Sequence, residues 1–297
     1  MSNISVIIVT HNEAESLDRC LTSLKGFSDD ITVVDLESND QTKDVIKKHK
    51  ANLISHKRVE IVEEIRQSSL KYAAHDYVLV IDPDEQLTQS LQTILQQVAK
   101  DGEYAGVEIP RKNFVFGKWI KHSRWWPDHQ IRFVQKSKVS WPKYIHAKPD
   151  VKGDILELEP KEKYALIHEN YTSISDYLNR SFRYADSEAS DAITQGKPIP
   201  LQHTMKRSVS EFVSRFFFDQ GYKDGMHGFV LAFLQLIYYY LVLFFYWEKN
   251  QYKSLASENE LVSHPKEFFR HGYKESLHWT SKIGKSSLKD KIIRKVI

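Results

Sequence analysis

Three carboxylates follow a short apolar run near residue 80. Residues 78–81 are Val, Leu, Val and Ile, and Asp82, Asp84 and Glu85 come directly after them, with Pro83 between the two aspartates. Two aspartates one residue apart repel each other unless a cation lies between them. Mg²⁺ and Mn²⁺ bind carboxylate oxygens and commonly share their coordination sphere with the phosphates of a substrate. The pattern indicates a site for a divalent metal and a diphosphate. An acidic turn exposed to solvent, with no ligand, is the alternative interpretation.

Alternating strands and helices over the first hundred residues would position these carboxylates. Short β-branched or apolar runs predict strands at 5–9, 31–35, 52–55 and 77–81. Apolar residues at helical spacing predict helices at 14–25, 42–50, 60–74 and 87–99. This alternation predicts a parallel sheet covered on both faces, an α/β architecture of the nucleotide-binding type.

Polar clusters occur at the ends of three of these strands, where an open α/β sheet binds its ligand. The clusters are Thr10, His11, Asn12 and Glu13 after the first strand, Asp35, Glu37, Ser38, Asn39 and Asp40 after the second, and the carboxylates that follow residue 81. Asn12 and Asp40 could instead cap the helices that they precede. The convergence of three clusters favours a binding site over any one motif.

The pattern changes after Gly102. Short extended runs at 107–110, 131–135 and 165–168 predict mixed or antiparallel strands laid against the first half. From Ser173 onwards the chain is predicted to be helical, with Tyr177, Phe182 and Ala185 on an inner face.

Net charge and cysteine content bear on the class of binding partner and on the cellular compartment of the protein. A net charge of +3 is too small to argue for nucleic acid. Cys20 is the only cysteine, so no intrachain disulfide can form and a reducing compartment fits. Helical spacing with neighbouring leucines makes Cys20 a core residue. The first apolar run has no basic segment before it and is too short for a signal peptide, so we expect a cytoplasmic protein.

Residues 229–247 contain no charged side chain and are near the lower length limit for a membrane-spanning helix. The stretch is rich in tyrosine and ends in Trp247, as segments at membrane interfaces are. A spanning helix, a helix in the cytoplasmic leaflet and an oligomer interface all fit, and we favour the latter two. The nearby basic residues Lys206, Arg207, Arg215 and Lys223 would face anionic lipid.

The segments "SVIIVTHNEAESLDRCLTSLKGFSDDITVVDLESNDQTKDV" and "YVLVIDPDEQL" together resemble the family 2 glycosyltransferases with a GT-A fold. The likeness is greatest to the bacterial branch that builds lipopolysaccharide core and other surface glycans. It continues through "NFVFGKWIKHSRWWPDHQIRFV" and "LIHENYTSISDYLNRSFRYA". The resemblance implies an α/β fold, a GT-A type nucleotide-binding mixed sheet flanked by helices. Residues 1–172 would form the catalytic domain, with a nucleotide-sugar half at 1–100 and an acceptor-side half at 101–172. Residues 173–297 would form a helical, membrane-associating region.

The resemblance also implies an activity. A sugar would pass from a nucleotide-diphosphate donor, most simply a UDP-hexose, to a saccharide or lipid-linked saccharide with inversion, using Mg²⁺ or Mn²⁺. The residues expected to hold the nucleotide sugar are Thr10, Asn12, Glu13, Asp35, Ser38, Arg66 and Asp82. Asp84 matches the metal-binding aspartate of the family, and Asp82 would assist through the nucleotide or a metal-bound water.

The general base must be another group, because a metal-bound carboxylate is a poor base. The family usually supplies it from a later Glu-Asp pair. This chain has Trp126-Pro127-Asp128-His129-Gln130 there, so Asp128 is the candidate, with an ordinary turn residue as the alternative.

Further residues are candidates for metal, donor or acceptor binding, or for a purely structural role. A late histidine can complete a metal or diphosphate site. His168 is the candidate metal ligand, and His146 is an acceptor-site candidate although Ala147 follows it where relatives often have glutamate. Gly117 and Trp119 resemble the loop that walls the donor pocket. Trp125 and Trp126 could stack on a sugar or pack in the core.

Two other classes of function compete. A haloacid-dehalogenase-type phosphotransferase also uses Asp-x-Asp after a strand, but on the first strand of its core. A non-catalytic nucleotide-sugar-binding scaffold would be expected to lack Asp84 or Asp128, and both are present. We expect a cytoplasmic enzyme, peripheral at the inner membrane, whose partners are a donor, an acceptor and the cytoplasmic leaflet. A homo-oligomer stays open, and no nucleic acid is expected.

Overall fold

The computed structural model of the protein describes residues 3–59, 62–142 and 148–284. The strands are β1 (Ile4–Thr10), β2 (Asp30–Asp35), β3 (Asn52–Ser55), β4 (Tyr77–Ile81), β5 (Glu85–Gln86), β6 (Gly106–Val115), β7 (Lys118–Trp119), β8 (Asp128–Gln135), β9 (Val139–Ser140), β10 (Asp150–Val151), β11 (Ile155–Glu157) and β12 (Leu166–Tyr171). The helices are α1 (Ala14–Ser23), α2 (Thr42–Lys48), α3 (Glu63–Ser69), α4 (Gln89–Asp101), α5 (Ile174–Thr194), α6 (Leu201–Val213), α7 (Met226–Lys249) and α8 (Glu258–Lys282). Tighter or wider helical turns lie at Leu70–Tyr72, Glu162–Tyr164, Ser214–Phe218 and Gly221–Asp224.

The described chain divides into two compact units. The first, which we call the sheet unit, comprises the described residues of 1–114 and 126–170. The second, the helical unit, comprises those of 115–125 and 171–297. The functional boundaries predicted from the sequence stay predictions.

The main sheet has the strand order β3-β2-β1-β4-β8-β6-β12-β5. β3, β2, β1 and β4 are parallel, as the alternation of strand and helix predicts. β8 pairs antiparallel with β4, and β6 pairs antiparallel with β8. The later strands therefore extend the same sheet, and the expectation of mixed or antiparallel strands after Gly102 is confirmed. The predicted mixed sheet is confirmed.

Both faces of the parallel strands are covered. Val6 and Ile8 of β1 pack with Leu17 and Leu21 of α1 in one buried cluster. Ile7, which points to the opposite face, packs with Leu70 in another. All seven residues of β1 are buried, as an apolar run in a central parallel strand should be. Cys20 is buried in the first cluster, which confirms its assignment to the core.

The helical unit is built around α7. This helix packs along α5 and α6, and α6 packs on α8. A Cβ placed on Gly228 would lie 1.8 Å from the carbonyl oxygen of Gly221, so the two backbones meet without a side chain between them. Tyr177 and Ala185 are buried as predicted, but Phe182 is 43% exposed and the prediction for it is wrong.

Among the described residues, α7 alone is long and apolar enough to cross a membrane by length and composition. It extends the predicted stretch 229–247 by three residues before and two after. Only 33% of its most apolar window is buried, so much of the helix surface is uncovered within the protein. The helical character of the C-terminal region is confirmed, and its membrane association stays a prediction.

Candidate active site

The turn after β4 is held at both ends. The backbone N–H of Glu85 donates to the carbonyl of Asp82 at 3.0 Å, and the N–H of Asp82 donates to Glu85 Oε2 at 3.1 Å. The N–H of Glu169 donates to the carbonyl of Asp84 at 3.0 Å, and Glu85 lies opposite His168 where β5 pairs with β12. Because the turn is tied to β12, the directions of its carboxylates are fixed by the sheet.

Three arginines compensate the buried carboxylates in what we call the carboxylate–arginine network, which comprises Asp82, Glu85, Asp128, Arg66, Arg111 and Arg132. Arg66 Nη2 donates to Asp82 Oδ1 at 2.8 Å, and Arg132 forms an ion pair with Asp82 Oδ2. Arg132 Nη2 also donates to Glu85 Oε1 at 2.9 Å, and Arg111 Nη1 donates to the same oxygen at 3.1 Å. Glu85 is 0% exposed, so these two guanidinium groups are what makes its burial tolerable.

The network sets the charge state of Asp82. Burial acts to raise the pKa of this carboxyl, but the charges of Arg132, Arg66 and Arg111 outweigh it and hold the pKa well below its ordinary value. Asp82 is therefore an anion whose two oxygens both face arginines.

Asp128 lies at the other end of the network. Its Oδ2 accepts from Arg111 Nε at 2.9 Å, from Arg111 Nη2 at 2.6 Å and from Asn113 Nδ2 at 3.0 Å. Its Oδ1 accepts from Gln130 Nε2 at 3.0 Å. Burial raises the pKa of Asp128, but the Arg111 charge and the hydrogen bonds from Asn113 and Gln130 lower it overall. Asp128 is an anion with one oxygen crowded by donors and the other more open.

His168 joins Asn113 to Asp84. Its Nδ1 lies 2.6 Å from Asn113 Oδ1, and its Nε2 lies 3.5 Å from Asp84 Oδ2. The Asn113 amide nitrogen donates to Asp128, so its oxygen must accept from the histidine and Nδ1 carries the hydrogen. In the neutral imidazole, Nε2 then turns a lone pair toward the Asp84 carboxylate.

These donors fit a divalent cation. An imidazole lone pair and a carboxylate that face each other form a favourable pair when a cation lies between them. The mixed N and O donors suit Mn²⁺, while Mg²⁺ prefers oxygen ligands alone. The described residues contain no group of three or more His, Cys, Asp or Glu arranged to hold a metal, so a bound nucleotide diphosphate or water would have to complete the coordination.

Hydrogen bonds join the loops that follow β1 and β2. Thr10 lies opposite Asp35, and the Asn12 N–H donates to Ser38 Oγ at 2.9 Å. Asp35 is fully buried and accepts from the Ser38 N–H at 3.2 Å, with Lys43 Nζ at 3.6 Å. Asp35 therefore orients the loop after β2. Asp40 accepts hydrogen bonds from the N–H groups of Ala14 and Thr42, the first residues of α1 and α2. The side chain of Asn12 instead accepts from the N–H of Asn39.

Glu13 connects the two strand ends electrostatically. Burial raises its pKa, the Asp84 charge raises it further, and hydrogen bonds from His11 and Thr10 offset part of the effect, which leaves the pKa at about 7. Carboxylates of two different strand ends therefore concentrate negative charge at one place. This arrangement also suits a cation.

The remaining predicted site residues lie in several places. Gly117, Trp119 and Trp125 belong to the helical unit, whereas Trp126 belongs to the sheet unit. Lys121 Nζ lies 3.9 Å from the Trp119 ring centroid, and Trp125 packs edge-on against Tyr171 at 6.4 Å. His146 is outside the described residues. Their roles at the donor or acceptor stay predictions.

Sequence reasoning missed four residues that organise the site: Glu85, Arg111, Asn113 and Arg132. The sequence places Glu85 in the acidic turn but indicates no role for it. Arg111 and Asn113 are two residues apart on β6 and share a face, and Arg111 lies opposite Asp128 on β8. The available signal was the presence of polar side chains at alternate positions of β6 and β8, which marks a polar face inside a sheet.

The sequence of the chain is similar to those of known glycosyltransferases. Residues 5–151 match the sequence profile described as glycosyl transferase family 2. An uncharacterised glycosyltransferase of Rickettsia typhi is 26% identical over 278 residues, which cover 89% of this chain and 91% of the relative. The lipopolysaccharide core biosynthesis glycosyltransferase LpsC of Rhizobium meliloti is 19% identical, and the match covers 88% of this chain and 98% of LpsC.

Among solved structures, glucosyl-3-phosphoglycerate synthase from Mycobacterium tuberculosis, in complex with Mn²⁺, UDP and phosphoglyceric acid, overlaps with a TM-score of 0.43. It is 16% identical, and the overlap covers 66% of this chain and 79% of that one.

Residues 5–151 form a glycosyltransferase domain of family 2, the family that the strand-end motifs resemble. The haloacid-dehalogenase-type alternative is wrong, since the chain matches another family and its aspartates follow β4 and not the first strand.

We expect Arg132→Met to lower the free energy of unfolding by about 3–5 kcal/mol, because it leaves Glu85 and Asp82 buried with one cation fewer. Urea unfolding followed by tryptophan fluorescence measures the change. Arg58 is exposed, so Arg58→Met is the matched control, with an expected change below about 0.5 kcal/mol. Equal effects of the two substitutions would show that the network does not carry this energy.

Glu13 should make stability pH-dependent. Its folded pKa of about 7 lies above the ordinary 4.5, so ionisation costs folding energy. The cost is absent below pH 4.5, grows up to pH 7 and is constant above it, at about 3 kcal/mol. We expect Glu13→Gln to stabilise the metal-free protein in chelator at pH 8 and much less at pH 5, measured by urea unfolding. Glu15→Gln, at a side chain that is 91% exposed, is the control. A gain from Glu13→Gln that is the same at both pH values would contradict the assignment.

Proposed function

We propose that this family 2 glycosyltransferase moves a hexose from a nucleotide-diphosphate donor, with a UDP-hexose as the first candidate, to a saccharide or lipid-linked saccharide. The product would belong to a bacterial surface glycan, lipopolysaccharide or capsule. The observation that carries the proposal is the continuous chain of contacts from Asp84 through His168 and Asn113 to Asp128. It links the proposed diphosphate end of the site to the proposed base.

The donor would lie at the carboxyl ends of β1, β2 and β4. Asn12 and Glu13, which are at least partly exposed, would contact the nucleoside directly. The buried Thr10, Asp35 and Ser38 would hold the strand ends and loops that carry the donor site. Arg66 would remain on Asp82 with its cationic edge toward the diphosphate. This division gives each predicted donor residue a task that its burial permits.

Asp84 and His168 would hold Mn²⁺ or Mg²⁺, and the bound cation would neutralise charge on the leaving diphosphate. Asp82 would act differently from its neighbour. Both of its oxygens are engaged by Arg66 and Arg132, so its task would be to fix these cations beside the metal ligands.

Asp128 would take the proton of the acceptor hydroxyl through Oδ1, because Oδ2 already accepts from Arg111 and Asn113. A single displacement from the side opposite the leaving group inverts the anomeric carbon and needs one base. The low pKa of Asp128 keeps it ionised and ready to accept the proton across the neutral range.

We also propose that the protein is peripheral at the cytoplasmic leaflet, where a lipid-linked acceptor would be found. α7 packs along α5 and α6. α5 carries charged pairs such as Arg180 with Asp176, and α6 ends in Glu211 beside Arg215. A spanning α7 would draw these charges into hydrocarbon, which costs several kcal/mol for each group. Arg215 is occupied by Glu211 and Arg207 stacks on Tyr239 at 4.5 Å, so neither is as available to lipid as the sequence suggests.

The experiment that tests the function is a screen of nucleotide sugars, with Mn²⁺ or Mg²⁺, for release of the nucleoside diphosphate in the presence of saccharide acceptors. Turnover with one donor supports the proposal. Binding of a nucleotide sugar without turnover on any acceptor would favour the scaffold alternative.

Turnover should require the divalent cation, because Asp84, Asp82 and Glu13 place negative charge where the diphosphate must bind. We expect chelation or Asp84→Asn to lower turnover by about a hundredfold or more while the melting temperature stays close to that of the wild type. Asp154→Asn, at an exposed aspartate, is the matched control. Full turnover in excess chelator would rule out the metal's role.

Asp128→Asn should lower kcat by about a hundredfold or more and leave donor affinity nearly unchanged, since the base acts only on the acceptor. Single-turnover rates and donor titrations separate the two quantities. If donor affinity collapses and kcat survives, Asp128 belongs to the donor pocket and not to the acceptor side.

A further inference from the structure

Helix α8 has one face that is packed against the helical unit. It begins with a capping box, in which Ser257 accepts from the Glu260 N–H and the Glu260 side chain accepts from the Ser257 N–H at 2.7 Å. Its inner face lies on α6, where a Cβ on Gly272 would meet Val209 at 3.8 Å. Near its end, the Trp279 ring packs edge-on against Phe218 at 5.7 Å. These contacts fix which side of α8 is turned outward.

The outer face of α8 combines apolar and basic side chains. Val262, Phe269 and Tyr273 are 78%, 71% and 45% exposed, and their spacing of seven and four residues places them along one line of the helix. Lys266, Arg270 and Lys274 are also exposed. Lys266 lies one turn after Val262, Arg270 lies one turn before Tyr273, and Lys274 lies one turn after Arg270. We call these six residues the outer face of α8.

Within the described residues, no ion pair involves Lys266, Arg270 or Lys274, whereas Arg215 and Lys249 of the same unit are paired with Glu211 and Asp186. An apolar line flanked by unpaired cations is the pattern of a helix that lies in the plane of an anionic membrane surface. The apolar side chains enter the headgroup boundary while the cations meet phosphates.

A second copy of the chain fits this face poorly. A twofold interface would place the face against itself, and the cations of one copy would meet those of the other. Like charges brought together at an interface cost several kcal/mol. An anionic lipid surface meets the apolar line and the cations with complementary chemistry.

We propose that the outer face of α8 is a membrane-contact surface for anionic lipid. The choice of anionic lipid as the partner rests on the proposed peripheral location of the protein. The surface itself does not depend on the chemistry proposed at Asp84 and Asp128. The residues after α8 add charge of the same sign in the sequence, where 285–297 contain five basic residues and one acidic residue. The surface would orient the helical unit on the leaflet without a spanning segment.

The test is flotation of the full chain with phosphatidylcholine vesicles that contain or lack phosphatidylglycerol, at low and high salt, without any donor sugar. We expect binding only with phosphatidylglycerol, and weaker binding at high salt. The triple variant Lys266→Gln, Arg270→Gln, Lys274→Gln should bind about a hundredfold less, because each cation near the surface contributes about a fivefold factor. Phe269→Ser should bind roughly tenfold less.

The matched control is Lys47→Gln, Lys100→Gln, Lys152→Gln, which removes the same charge from exposed positions of the sheet unit. It should bind like the wild type. Lys266→Arg, Lys274→Arg keeps the charge and should retain binding, and circular dichroism verifies that every variant is folded. The proposal fails if no flotation occurs, if the control triple loses as much binding as the α8 triple, or if the α8 variants bind normally. It also fails if Phe269→Ser converts a dimer into a monomer with no effect on vesicles.

Discussion

The site depends on one constraint: Asp82 and Glu85 are negatively charged, close together and largely withdrawn from water at the end of β4. Two such groups can be buried only with cations against them, because an unpaired buried charge costs several kcal/mol. Arg132 from β8 forms ion pairs with both carboxylates, and Arg111 from β6 forms an ion pair with Glu85. The antiparallel strands β8 and β6 therefore supply cations to the turn after β4 as well as extending the sheet.

The same compensation separates the tasks of two neighbouring aspartates. Asp82 is occupied by arginines, while Asp84 faces a histidine whose other nitrogen is fixed by Asn113. An Asp-x-Asp sequence thus presents one carboxylate that holds cationic side chains and one directed at a cation from solution. Because Asn113 also donates to Asp128, the orientation of the imidazole and the orientation of the proposed base are mechanically linked. A change at one end of this chain should be felt at the other.

The parallel half of the fold was predictable from the sequence because its information is local. A strand such as Tyr77–Ile81 is recognisable from five consecutive residues, and the strand-end rule then gathers Thr10, Asp35 and Asp82 at one edge. The arginines were not predictable in this way. Arg132 meets a residue fifty positions earlier, and no local periodicity encodes that pairing. The sequence predicts antiparallel strands after Gly102 but does not assign their partners, because the register between β4 and β8 depends on packing across the whole sheet. Phe182 illustrates a different error. The helical spacing correctly predicts α5, but no neighbouring element of the described chain covers Phe182, so its side chain is exposed.

The meeting of Gly228 with Gly221 has a consequence for how this protein can vary. When a residue in a helical unit is replaced by a larger one, a neighbouring side chain can usually be replaced by a smaller one to make room. Such pairs of positions can therefore change together during evolution. Here the neighbour is a carbonyl oxygen, and a backbone atom cannot become smaller. Gly228 is accordingly a position where no second-site change can compensate. Natural variants that keep α7 docked should share this glycine even where the aromatic residues around it have been replaced.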